Sequence, residues 1–111
     1  MTDEMIALAR RAVACTGWEW MPGMRVLGGD RITEHTLAIE HGCLPDLSDP
    51  ATLGCLLALV REAWGDPHAS VWYDDEYWKS GNRWSWFAKK QSRVDYDTEA
   101  EALVAALEFA P

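Results

Sequence analysis

The chain has 111 residues, 49% of them hydrophobic, and sets 10 Lys and Arg against 18 Asp and Glu for a formal net charge of −8. That length supplies a single α+β domain (1–111) with one core and leaves no room for a second. The charge opposes nonspecific binding of nucleic acid by the molecule as a whole and leaves a basic partner open. The longest apolar run, Leu53 to Val60, falls far short of the ~20 residues of a bilayer span. Asp3 and Glu4 stand where a signal peptide is positive, and Arg10 and Arg11 interrupt the apolar stretch, so the reading is cytoplasmic, with no membrane contact.

Thr2 to Cys15 is predicted as the first helix: Thr2 caps it, Asp3 and Glu4 face the positive end of its dipole, and Met5, Ile6, Leu8, Ala9, Ala12 and Val13 form the buried side. Gly17 ends it. Trp18-Glu19-Trp20 alternates as a strand does, with both indoles on one side, and Pro22-Gly23 is a turn from which Met24 to Leu27 folds back. Between Arg31 and Cys43 the apolar anchors Ile32, Leu37 and Ile39 are scattered, and a strand is placed at 36–40.

The stretch from Asp49 to Trp64 reads as the organising helix. Asp49 caps it, Pro50 occupies the first turn where a missing N–H costs nothing, and Gly65 followed by Asp66-Pro67 stops it. Leu53, Leu56, Leu57, Val60 and Trp64 make one stripe, and Cys55, Ala58 and Leu59 extend apolarity around the helix, which calls for cover on more than one side. A homodimer is one way to supply it.

A β-meander follows, with strands at Ala69 to Tyr73, Tyr77 to Lys79 and Arg83 to Lys90 and a turn at Ser80-Gly81-Asn82. Val94 to Tyr96 adds a short strand or leads onward. Thr98 and Glu101 stand at capping-box spacing before a last helix from Glu99 to Phe109, whose shared face holds Ala100, Leu103, Leu107 and Ala110.

Chemistry is sparse. Cys15, Cys43 and Cys55 are an odd number without zinc-type spacing and read as unpaired thiols, and His35, His41 and Cys43 lack the paired short spacings of a metal site. No nucleophile elbow or glycine-rich phosphate loop occurs, so no catalytic residue, metal or cofactor is assigned. The strongest pattern is at 77–93, where Lys79, Arg83, Lys89, Lys90 and Arg93 interleave with Trp78, Trp84, Trp86 and Phe87 without one carboxylate. Two readings compete: a partner-binding hairpin, of which gripping single-stranded nucleic acid is one form, or an ordinary sheet with aromatics inward and cations outward. Asp74, Asp75 and Glu76 beside it read as a solvated turn and, with the hairpin, as candidate contacts for a basic groove on a partner.

At these points the chain resembles the small proteins of tailed bacteriophages and prophages that carry the phage ABA sandwich domain. The residues concerned are Gly17-Trp18 closing a first helix, Leu44-Pro45-Asp46 leading into a central one, a tryptophan-bearing strand pair, and the closing run Thr98-Glu99-Ala100-Glu101-Ala102-Leu103; residues 24 to 43 have no counterpart. The resemblance implies a helix–sheet–helix sandwich of three helices and an antiparallel meander, and a phage accessory origin, without catalytic residues. Small acidic proteins of that origin often bind and disable a host protein, CRISPR surveillance complexes included, and fold alone does not say which. The resulting expectation is a non-catalytic binder of a host protein, with a nucleic-acid-binding module as the alternative and a small metal-dependent enzyme behind it.

Overall fold

In the computed structural model, residues 3–35, 42–73, 84–92 and 95–111 are described. The order is α1 (Asp3–Ala14), α2 (Pro50–Trp64), β1 (Ser70–Tyr73), β2 (Trp84–Ala88), β3 (Lys90–Gln91) and α3 (Glu99–Glu108), the α+β arrangement expected. None of these helices is long and apolar enough to cross a membrane.

Local chemistry sets the helix ends. Asp49, extended at φ −85°, accepts from the Thr52 backbone N–H, Pro50 follows, and Gly65 closes α2 in the left-handed conformation at φ 61°. In α3 the Thr98 hydroxyl accepts from the Glu101 N–H at 3.1 Å. Gly54, within α2, faces open space.

The element at the centre is α3, not α2. Seven of its residues are buried, Ala100 and the whole run Ala102 to Leu107, whereas α2 buries Thr52, Leu56, Leu59, Val60 and Trp64 and leaves Ala58 exposed. Alanines explain the difference: four of the seven buried residues carry only a methyl group, so α3 accepts close neighbours on several sides. It packs on α1, on α2 and on both β1 and β2, so the middle place that a sandwich gives to its sheet belongs to this helix.

All three helices point the same way. Glu4, Met5 and Leu8 of α1 share a groove with Leu47 and Ser48, just before α2, and with Thr98 and Glu101 at the start of α3. At the opposite end Arg11 and Cys15 share one with Ala63 of α2 and with Leu107 and Glu108 of α3. Arg11 clasps the Glu108 carboxylate across that end, its Nε 3.2 Å from Oε2.

The sheet is antiparallel in the order β1-β2-β3, with Ser70 opposite Phe87, Val71 opposite Trp86, Trp72 opposite Ser85 and Tyr73 opposite Trp84. Tyr96 adds a bridge to Trp84, as the leading-on segment allows. Strands at 36–40 and at Tyr77 to Lys79 fall outside the described residues, as does Thr2.

The amino-terminal hairpin does not form as predicted. Trp18 and Trp20 lie together edge-to-face, 5.4 Å between centroids, but find no ladder partner among the described residues. Arg25 and Val26 instead form single bridges to Arg31 and Pro45. Leu27 N–H reaches Leu44 O at 2.8 Å and Asp46 N–H reaches Arg25 O at 2.8 Å, so this backbone is satisfied by distant segments. Thr52, fully buried, fastens it to α2 by accepting from the Arg25 N–H at 2.8 Å while donating to Asp49 Oδ2. The core is continuous through Met24, Leu56, Val60, Trp86 and Leu103.

Candidate functional site

Of the hairpin candidates, Trp78, Lys79, Arg83, Arg93, Asp74, Asp75 and Glu76 lie outside the described residues, which leaves Trp84, Trp86, Lys89 and Lys90. Trp86 is a correction. It is 3% exposed, packs 5.6 Å from Trp64 and stacks on Phe109, so it belongs to the core and offers a partner no face. Alternation along β2 is the cause: Trp86 and Ala88 point at the helices, and Phe87 points away.

Lys89 and Lys90 have inward tasks as well. The Lys89 backbone N–H donates to Asp66 Oδ2 at 3.1 Å, and its ammonium lies beside Gly65, 3.8 Å from where a Cβ would stand. Lys90 Nζ sits 5.7 Å from the centroid of Trp64. Both cations therefore gather at the carboxyl end of α2, where the helix dipole is negative, although both remain exposed. Among the other cations, Arg11 holds Glu108, Arg31 holds Asp49 through two hydrogen bonds at 2.8 and 2.9 Å, and Arg61 Nε donates to Ala69 O at 2.8 Å.

Aromatic surface survives elsewhere. Tyr73, Phe87 and Phe109 are 50%, 41% and 59% exposed, and Tyr73 meets half-buried Trp84 at 5.5 Å. Tyr73 and Phe109 lie outside the hairpin pattern read from the sequence, and Phe87 lies within it. Phe87 was legible as the residue out of phase with Trp84, Trp86 and Ala88, whereas Phe109 depends on where α3 ends. The indole N–H groups of Trp18 and Trp86 are buried without a partner.

Two contiguous grooves open at the carboxyl end of the helices, and neither was legible beforehand. The larger, about 500 Å³, is walled by Arg11, Cys15, Leu107 and Glu108. The smaller, about 280 Å³, is walled by Trp18, Glu19, Leu59 and Glu62, and the two meet at Thr16, Gly17 and Ala63. Gly17 makes the junction a close one: a Cβ there would stand 3.0 Å from Leu107 Cδ1 and 3.2 Å from the Ala63 methyl, so those side chains would have to give way.

Titration is perturbed in few places. The Arg31 guanidinium, then the Thr52 hydroxyl, hold the Asp49 carboxyl well below the usual carboxylate range. Burial, with Glu108 adding to it, pushes the Cys15 thiol up, away from the reactive thiolate. All three cysteines are unpaired and half-buried. His35 is exposed, His41 is outside the described residues, and among the described residues no three His, Cys, Asp or Glu side chains group as metal ligands.

Compared with protein-family models, curated proteins and solved structures, the chain matches none.

Proposed function

We propose that this is a non-catalytic accessory protein, of phage or prophage origin, that acts in the cytoplasm of a bacterial host by binding a host protein and inhibiting or redirecting it, an immune complex of the CRISPR type being one such target. The phage setting rests on the resemblance of the sequence to ABA sandwich proteins. The binding role rests on the surface.

One observation carries it: large aromatic rings stand half or more exposed at Tyr73 and Phe109, with Phe87 close behind, on a chain whose core had room for Trp64 and Trp86. Exposed aromatic side chains are the usual anchors of protein interfaces. The charge supports the same role. Arg11, Arg31, Arg61 and Lys90 have partners within the molecule, and the net charge of −8 leaves an excess of carboxylates to meet a basic partner. The nucleic-acid alternative, which drew on Trp84, Trp86, Lys89, Lys90 and Arg93, loses Trp86 to the core.

The test is affinity capture from a bacterial lysate with the wild-type chain and with Tyr73→Ser/Phe87→Ser/Phe109→Ser. The wild type retains one stoichiometric protein, and the triple variant, with its far-ultraviolet spectrum intact, loses it. Capture by both alike, or quenching of tryptophan fluorescence by short oligonucleotides at low salt, would overturn the reading.

A further inference from the structure

We propose that the paired grooves at the common carboxyl end of the helices dock a basic, partly aliphatic peptide segment, seating an Arg or Lys side chain against Trp18, Glu19 and Glu62. The surface is distinct from Tyr73 and Phe87, so it stands whether or not those aromatics bind a partner.

Size and continuity come first. The larger groove, about 500 Å³, falls within the ~300–1,000 Å³ of ordinary ligand pockets, and the smaller extends it past Gly17. Much of the lining is apolar: Leu59, Ala63, Leu107 and Ala110 offer contact to aliphatic groups but no hydrogen bond.

Charge then selects the occupant. Because α1, α2 and α3 run in parallel, their three carboxyl ends converge here, each carrying roughly half a negative charge. Glu19, Glu62 and Glu108 line the same grooves against a single guanidinium, Arg11, which is already bound to Glu108. Three further cations stand near the end of α2 without lining either groove: Arg61 is turned to the Ala69 carbonyl, Lys89 lies beside Gly65 and Lys90 over the Trp64 ring. Glu19 and Glu62 are exposed and enter no ion pair among the described residues. An anion is therefore repelled and a cation drawn in.

The chemistry of the smaller groove narrows this to a side chain on a peptide. An indole beside two carboxylates suits guanidinium or ammonium, through the ring and through ion pairs together. Lys and Arg lay their aliphatic stems along apolar surface while the charged head seeks carboxylates, and neighbouring aliphatic residues of a peptide have Leu107 and Ala110 to meet. A simple polyamine supplies the charge without the apolar neighbours.

The experiment is a two-dimensional amide NMR titration of the full chain at low salt with the capped peptide acetyl-Leu-Arg-Leu-Arg-amide. Its counterpart with citrulline for arginine and spermidine run in parallel. The expected result is saturable shifts centred on Gly17, Glu62 and Ala63 with the arginine peptide, weakened about two- to five-fold by each of Glu19→Gln and Glu62→Gln, the range of exposed ion pairs. Tyr73→Ser/Phe87→Ser leaves that binding unchanged. Equal binding of the citrulline peptide or of spermidine, shifts centred elsewhere, or indifference to both glutamine variants would overturn the proposal.

Discussion

Trp64 donates its indole N–H to the carbonyl of Ala106, 2.7 Å away, joining the last residue of α2 to the last turn of α3. Carbonyls of a final helical turn have no partner within the helix, and this one is buried. The indole completes it where water cannot. Trp64→Phe removes the donor and strands the acceptor, a loss of about 1–3 kcal/mol. Trp86→Phe, in the same aromatic cluster, removes an indole N–H that has no partner to lose. Urea denaturation of the two variants therefore ranks Trp64→Phe as the more destabilised, although both rings are buried. The reverse order would mean that ring volume alone governs this junction.

Two glycines of the α2 region respond to alanine in opposite directions. Gly54 lies inside the helix with open space where a Cβ would go, so Gly54→Ala stabilises by about 0.5–1 kcal/mol through lost freedom in the unfolded chain. Gly65 holds φ 61°, a conformation that costs an L residue roughly 1–2 kcal/mol, so Gly65→Ala destabilises by that order. Thermal melts of the two single variants against wild type check the signs.

What was legible in advance was what neighbouring residues decide among themselves. Asp49, Pro50, Gly65 and Thr98 end their helices through contacts within a turn, and each was placed from sequence. The alternation of Ser85, Trp86 and Phe87 is similarly local, and it carried both possible roles for the hairpin; choosing between them required knowing that α3 covers the face holding Trp86. The centrality of α3 was hidden because alanine adds so little to amphipathic patterning. The segment 18–32 was hidden for another reason: Leu27 is satisfied by Leu44, and Arg25 by Asp46 and Thr52, across distant stretches that no local period records. The grooves depend on the parallel run of three helices, a property of topology alone.

Asp49 links the cap of α2 to Arg31 and Thr52, and its carboxyl is held well below its ordinary value, first by the guanidinium and next by the hydroxyl. A carboxylate depressed on folding contributes stability that is fully present above its unfolded pKa, ~3.9, and is lost as pH falls below that toward the folded value. Asp49→Asn keeps a capping side chain but gives up the charged pair. Its melting temperature is expected to lie below wild type at pH 6 and to converge on it as the pH falls below about 3.9. A gap that stays constant down to pH 2 would show that the pair with Arg31 adds nothing to folding.

Cys15 sits in the wall of the larger groove, hydrogen-bonded through Sγ to the Arg11 carbonyl at 3.3 Å. Burial comes first and the Glu108 carboxylate next in holding its proton on, against a smaller pull from Arg11. Only the thiolate alkylates, so a raised pKa lowers the reactive fraction at any given pH. Iodoacetamide at pH 8 should label Cys15 of the native protein more slowly than the same thiol in urea, as read by peptide mass mapping. Glu108→Gln removes the second cause while leaving burial in place, so it quickens labelling without reaching the unfolded rate. If instead native Cys15 reacts as fast as the denatured thiol, the end of α1 is not packed against α3 as the Arg11–Glu108 pair requires.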